Sequence, residues 1–276
     1  MKTSKNKKIL QGKIISNKKT APDHFEIAIQ NEWLARNSRP GQFVMIKVQD
    51  KNNDPLLRIP LGVHFTEKDR TYLLYKIVGA GTETLCQRQK GEVISVLGPL
   101  GNGFDLRGLS EKKEALIVAG GHGIVPLYML AKELRKRGMK VTVFEGACGK
   151  EHILCKNKLK KIGAKIFIAT ENGTLGQKGR VTDILSKYLK AVKKNPKQKE
   201  FPQKYEMYVC GPKPMIESVN KIAKEFEIKT QISFAEYMAC GIGACLGCAI
   251  MTVDGYKMTC KDGPVFDSRQ IKWDAA

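Results

Sequence analysis

Residues 114–146, EALIVAGGHGIVPLYMLAKELRKRGMKVTVFEG, decide the fold of this chain. EALIVAGG (114–121) is a continuous apolar run ending in glycines, and IVPLYMLAKELRKRG (124–138) repeats its apolar residues at helical spacing. KVTVFEG (140–146) is a second apolar run. Strand, helix and strand in such quick succession predict a parallel sheet covered by helices. KIFIAT (165–170) and YEMYVCGP (205–212) are expected as later strands, with helices near 150–162, 180–192 and 214–226. The glycines of GGHGIVPL (120–127) stand between strand and helix, where backbone N–H groups and the positive helix end suit a pyrophosphate. Gly120, Gly121 and Gly123 are therefore candidate nucleotide contacts, and Pro126 fits the first helical turn. Glycines at such a turn also serve packing alone, and His122 reads as a residue without chemistry.

CGPKPM (210–215) marks a second turn from strand to helix. A thiol at Cys210 packs against a planar ring without competing for hydride, while Gly211 and Pro212 shape the turn. Taken alone, Cys210 is an ordinary buried cysteine at a strand end. TENGTLGQKG (170–179) suits the adenosine half of a nucleotide, or a plain turn. Glu145 ends the second strand, where a carboxylate bonds a ribose hydroxyl and repels a 2'-phosphate, or is simply a loop acid. The balance favours NAD.

Upstream the rhythm is different. FEIAIQ (25–30), GQFVMIKVQ (41–49), TYLLYKIV (71–78) and EVISVLG (92–98) are short runs broken by turn residues, the pattern of an antiparallel barrel. Downstream, the last part of the chain carries Cys240, Cys245 and Cys248 in CGIGACLGC and Cys260 in CKDGPVFD. The spacing Cys-x4-Cys-x2-Cys with a distant fourth cysteine is that of a plant-type [2Fe-2S] site. Gly241, Gly243 and Gly247 let the backbone turn between ligands and aim N–H groups at sulfur. Zinc is the alternative, although zinc ribbons pair two short hooks and only one is present here. Disulfides are disfavoured because MKTSKNKKIL (1–10) lacks the apolar core of a signal peptide. The other cysteines, Cys86, Cys148, Cys155 and Cys210, are dispersed.

A chain of 276 residues with 42% hydrophobic residues holds two compact domains and a small module. The expected boundaries are 1–108 for the barrel, 109–230 for the nucleotide domain and 231–276 for the cysteine module. No run reaches the about eighteen consecutive apolar residues of a membrane helix, so a cytoplasmic protein without a membrane role is expected. The excess of 48 Lys and Arg over 27 Asp and Glu, a net charge of +21, suits an acidic partner, a nucleic acid or an anionic surface. The lysines are scattered, and their one dense stretch, KYLKAVKKNPKQK (187–199), has neither aromatic interleaving nor a nucleic-acid motif. A solvated basic surface is the preferred reading, with no nucleic-acid partner. A basic zinc protein that binds nucleic acid is the contrasting class.

Taken in order, these pieces resemble the ferredoxin-NADP reductase superfamily. MACGIGACLGC (238–248) with CKDGPVFD (260–267) resembles in particular the electron-transfer subunits of the class 1B dihydroorotate dehydrogenases. YKIVGAGTETL (75–85), VLGPLGNGF (96–104) and VCGPKPM (209–215) match the same family. The resemblance implies an α+β multidomain protein: an antiparallel β-barrel flavin domain, an α/β Rossmann-like nucleotide domain and a small C-terminal [2Fe-2S] module. It implies FAD, one [2Fe-2S] cluster and NAD as cofactors. The implied partner is an FMN-containing catalytic dihydroorotate dehydrogenase subunit, two of each forming a heterotetramer. Carried over by position, Cys240, Cys245, Cys248 and Cys260 are the cluster ligands, and Leu74, Tyr75, Lys76, Gly81 and Thr82 fall on the FAD-contacting stretch. Lys76 replaces the usual Arg and so keeps a charge without the bidentate fork. RIPLG (58–62) departs from the family's Arg-Pro-Ile-Ser: Ile59 precedes Pro60, Gly62 stands in place of Ser, and Arg58 serves from one position earlier, beside Leu61. The form Arg-Ile-Pro-Leu-Thr occurs in a sister group, the small subunits of electron-bifurcating NADH-dependent ferredoxin-NADP oxidoreductases, so that such a subunit, or a sulfide dehydrogenase-type flavoprotein with the same cofactors, is the alternative reading. Those small subunits commonly have Asp at the first ligand position, where this chain has Cys240.

Overall fold

A computed structural model describes residues 7–49, 54–195 and 200–273. The chain groups into two compact units, one running up to Phe104 together with Phe234–Val265, the other comprising Asp105–Ser233 with Phe266–Trp273. The cysteine segment thus clusters with the barrel instead of standing as a unit of its own.

The first unit is built on an antiparallel sheet in the order Ile59–Gly62, Phe43–Lys47, Val93–Leu100, Lys8–Ala21, His24–Gln30, Arg70–Lys76, Phe65–Glu67. Its interior is aliphatic, with Ile14, Ile27, Ile29, Val44, Ile46, Leu73 and Ile94 all buried. Each such side chain contributes about 1.5–3 kcal/mol by leaving water. The four expected strands are all present. The fifth long one, Lys8–Ala21, is unexpected: only Gly12 and Ile14 of it are buried, so its lysine-rich sequence carries no clear alternation. Pro60 is accommodated because Ile59–Gly62 lies at the end of the strand order, where a missing N–H costs no ladder bond.

The second unit is the predicted parallel sheet. Its order is Gln177–Lys178, Lys165–Thr170, Lys140–Ala147, Glu114–Gly120, Tyr205–Cys210, Lys229–Ser233, Val265–Asp267. Glu114–Gly120 is buried almost throughout, as a central parallel strand covered on both faces must be. Helix Ile124–Lys136 follows it, and Val181–Lys193 buries Val181, Ile184, Leu185 and Leu189 along one stripe. The expected helix near 150–162 is a short 3-10 turn, Lys150–His152, and a helix, Lys156–Lys161. In the lysine stretch, Lys187, Lys190, Lys193 and Lys194 are exposed, a solvated face; residues 196–199 lie outside the described residues. The cysteine segment leaves the sheet after Lys229–Ser233, and the chain returns in the neighbouring strand Val265–Asp267.

Candidate redox site

In the cysteine loop the backbone does what the glycines suggest. Gly241 (φ 69°) and Gly243 (φ 86°) adopt left-handed conformations, and so does Leu246 (φ 61°), where a side chain makes that conformation costly. The result is a set of inward N–H groups: Ile242, Ala244 and Cys245 donate to Sγ of Cys240 at 3.4, 3.3 and 3.4 Å. The Cys260 N–H donates to Sγ of Cys248 at 3.4 Å. Among the described residues, no three His, Cys, Asp or Glu side chains gather as they would around a single metal ion. Cys240 interacts with the Cys245 thiol, and Cys260 with the thiols of Cys248 and, more weakly, Cys240.

Cys240 and Cys260 differ electrostatically. Burial acts to raise the Cys240 thiol, but the N–H groups of Ile242, Cys245 and Ala244 outweigh it and bring it down to about 6. Burial and the neighbouring sulfur of Cys248 push Cys260 up to about 12. A cluster bound here would find Cys240 already inclined to the thiolate form, whereas Cys260 would have to release its proton to solvent on binding. Four cysteine sulfurs in one segment, two of them already accepting backbone N–H groups, fit an iron-sulfur cluster.

The barrel supplies the seat. Phe43, Met45, Leu100, Cys248 and Cys260 form one buried cluster, with Leu97, Met238 and Met258 packed against it. A Cβ at Gly241 would stand 2.5 Å from Cγ of Met45, so only glycine fits this approach. Asn102 Nδ2 donates to the Asp262 carbonyl at 2.8 Å and pins the Cys260 turn. Met45, Leu100 and Asn102 are residues that sequence reading misses, because nothing local to them speaks of sulfur.

The structure also brings the two flavin motifs together. A Cβ at Gly81 would meet Cγ2 of Ile59 at 2.6 Å, so RIPLG and the turn before helix Ala80–Gln87 are in contact. Space in front of that helix is open, since a Cβ on Gly79 would touch nothing within 4 Å. Thr82 Oγ1 accepts from the N–H groups of Val78 (2.9 Å) and Gly79 (3.2 Å) and fixes the turn, and Lys76 is exposed just upstream. An open helix N-terminus beside a lysine suits a diphosphate. Arg58 also braces the barrel, because its guanidinium donates to the Ser95 carbonyl (3.1 Å) and to Ser95 Oγ (3.0 Å). Leu61 and Leu74 are buried, Gly62 pairs with Phe43, and Pro60 pairs with Met45. The Tyr75 ring is buried against Phe25, its hydroxyl donates to Asn17 Oδ1 at 3.0 Å, and burial holds that hydroxyl well above the usual phenol range. Tyr75 therefore offers a ligand its main chain, not its hydroxyl.

In the second unit, strands Glu114–Gly120 and Tyr205–Cys210 are parallel neighbours with Ala119 opposite Cys210, so both glycine turns stand side by side. They interlock. A Cβ at Gly123 would fall 2.2 Å from the Cys210 carbonyl oxygen, one at Gly120 2.8 Å from Pro212, and one at Gly211 2.6 Å from Cε of Met215. Gly121 (φ 50°) faces open space. This glycine-lined ledge at the carboxyl end of a parallel sheet is where an open α/β fold takes a nucleotide. Cys210 is buried, and burial pushes its thiol up to about 12 against the opposing hydrogen bonds of Ser233 and the Gly211 N–H. It is a neutral thiol. Met215, which touches two of the glycines, gives no sequence signal of this role.

Glu145 differs from expectation. It is fully buried: Oε1 accepts the Leu154 N–H at 3.1 Å, and Oε2 has no partner among the described residues. Burial raises its carboxyl to about 7. It closes the loop after its strand and presents no carboxylate at the surface for a ribose. That loop in turn joins the 170–179 turn, where Thr174 Oγ1 accepts the Lys150 N–H at 3.0 Å.

Comparison with known proteins agrees with this layout. Residues 235–272 match the iron-sulfur cluster binding domain of dihydroorotate dehydrogenase B, and residues 117–221 match the oxidoreductase NAD-binding domain. The electron transfer subunit of dihydroorotate dehydrogenase B (NAD(+)) of Desulforamulus reducens is 34% identical over 97% of this chain and 99% of its own. That of Geobacillus kaustophilus is 37% identical over 94% of this chain and 96% of its own. Among solved structures, an NADH-dependent reduced ferredoxin-NADP oxidoreductase superposes with a TM-score of 0.80 at 29% identity, covering 96% of this chain and 90% of that one. A ferredoxin NADP+ reductase from Neisseria gonorrhoeae with bound FAD and NADP shares the fold at a TM-score of 0.66 and 17% identity, covering 82% of this chain and 99% of that one. The expected fold of flavin barrel, nucleotide domain and iron-sulfur segment is borne out, as is an NAD-linked flavin oxidoreductase role that requires a partner subunit. Among the described residues, no helix is long and apolar enough to cross a membrane. The chain belongs to the family of electron transfer subunits of dihydroorotate dehydrogenase B (NAD(+)).

Proposed function

We propose that this chain serves pyrimidine biosynthesis in the cytoplasm by carrying electrons from an FMN-containing subunit that oxidises dihydroorotate to NAD+, two copies of each subunit assembling as a heterotetramer. The observation that carries this reading is the cysteine loop, where backbone N–H groups donate to the sulfurs of Cys240 and Cys248, and Cys248 and Cys260 rest on an apolar seat. Cys240, Cys245, Cys248 and Cys260 hold the cluster. In the 1–108 segment, FAD is held by Arg58, Pro60, Leu61, Gly62, Leu74, Tyr75, Lys76, Gly81 and Thr82. In the 109–230 segment, Gly120, Gly121, Gly123, Gly211 and Pro212 hold NAD, and Cys210 packs against its ring. When bound, the cluster supplies one-electron transfer, and the flavin joins it to two-electron hydride chemistry.

The chain's own work is positional. The loop amides hold negative charge on Cys240, the glycine ledge admits the nucleotide backbone, and the neutral Cys210 thiol offers an apolar face without acting as a nucleophile. No acid or base for deprotonating dihydroorotate is assigned to this chain; that chemistry lies with the partner. Anaerobic co-purification with its native partner, followed by assay of dihydroorotate-dependent NAD+ reduction, tests the reading. A complex holding flavin and iron yet inactive with dihydroorotate would move the function to the ferredoxin-NADP oxidoreductase type, which Ile59 and Gly62 alone favour.

A further inference from the structure

We propose that the Thr259 hydroxyl donates a hydrogen bond into the [2Fe-2S] site and raises its reduction potential; the inference rests on Cys240, Cys245, Cys248 and Cys260 being the ligands. Thr259 is 0% exposed, and its Oγ1 has no partner among the described residues. It lies within the ligand framework: its N–H donates to the Cys248 carbonyl at 3.0 Å, and the next N–H, that of Cys260, donates to Sγ of Cys248 at 3.4 Å. The hydrophobic side chains packed with Cys248 and Cys260 are Phe43, Met45, Leu97, Leu100, Met238 and Met258.

Thr252 in the same segment is the control. It is nearly as buried, at 3%, and its hydroxyl donates to the Gly255 carbonyl at 2.6 Å. A buried hydroxyl with no partner destabilises the fold, and valine would fill the same shape without that penalty. The Thr259 hydroxyl therefore has a hydrogen bond to give that no group among the described residues takes up. Sulfides and ligating thiolates are acceptors for it, and their negative charge grows when the cluster gains an electron. A donor directed at them stabilises the reduced state more than the oxidised one, which raises the potential.

The test is an anaerobic redox titration of the full chain, followed by electron paramagnetic resonance, for wild type, Thr259→Val and Thr259→Ser. At the wild-type midpoint, Thr259→Val is expected to show a reduced-to-oxidised ratio about tenfold lower, a shift of about 59 mV for a one-electron couple. Thr259→Ser restores most of it. The Thr259→Val apoprotein should also melt no lower than wild type, since it loses an unsatisfied group. Equal potentials in iron-loaded wild type and Thr259→Val would overturn the proposal while leaving the ligand set intact. A wild-type chain that takes up no cluster overturns the ligand set, and this inference with it. Should Thr259→Val fail to load iron, Thr259→Ala against Thr259→Ser makes the same comparison.

Discussion

Cys240 and Cys210 are the same residue in opposite surroundings. Around Cys240 the backbone folds back through left-handed residues until three amides reach one sulfur, and the thiol falls to about 6. Cys210 ends a straight buried strand, where burial dominates and the thiol rises to about 12. The difference arises from backbone shape, because neither sulfur relies on a charged side chain for its shift. Glycines make an anion holder of one site, and close packing makes a neutral, ring-compatible wall of the other.

The comparison breaks most completely by removing sulfur. Cys248→Ser or Cys260→Ser should abolish bound iron and visible cluster absorption, while Cys210→Ser retains the full iron content; equal iron in all three would refute the division of roles. Reactivity of the apoprotein sharpens it. With iodoacetamide at pH 7, peptide mapping should find Cys240 labelled about a hundredfold or more faster than Cys210. Lowering the pH from 7 to 5 crosses the Cys240 value and should slow its labelling by about tenfold. A third change strikes only the nucleotide side. Gly123→Ala drives a Cβ to 2.2 Å from the Cys210 carbonyl and should weaken NAD binding by about tenfold, at a cost of about 1–3 kcal/mol, without altering iron content.

The smallest effect concerns stability and pH. Burial places the Glu145 carboxyl at about 7 in the fold against an ordinary 4.5, so between those values the native state holds a proton that the unfolded chain has lost. Stability therefore falls as pH rises through that window. Glu145→Gln keeps an acceptor for the Leu154 N–H and removes the fall. Its melting temperature should exceed that of wild type by a few degrees at pH 8 and converge with it near pH 4; a parallel pH dependence in both proteins would contradict the burial.

What could be read from sequence was local. KIFIAT at 165–170 is the observed strand to the residue, and helix Ile124–Lys136 starts where the glycines end. Cysteine spacing and both glycine turns are equally local signals. Lys8–Ala21 was not legible, because a strand bonded on both sides tolerates lysines wherever its side chains face water. Nor was the seat of Cys248 and Cys260 on Phe43, Met45 and Leu100, a contact made by folding alone. Glu145 misled for a related reason. An acid at a strand end normally reaches solvent, and only the return of the chain at Leu154 covers it.

The cysteine segment enters from Lys229–Ser233 and hands the chain back to the adjacent strand Val265–Asp267. Its two ends are thus about 4.8 Å apart, one strand spacing. A segment tethered in this way is topologically an insertion, joined to the sheet at two adjacent strand ends and nowhere else in the strand order.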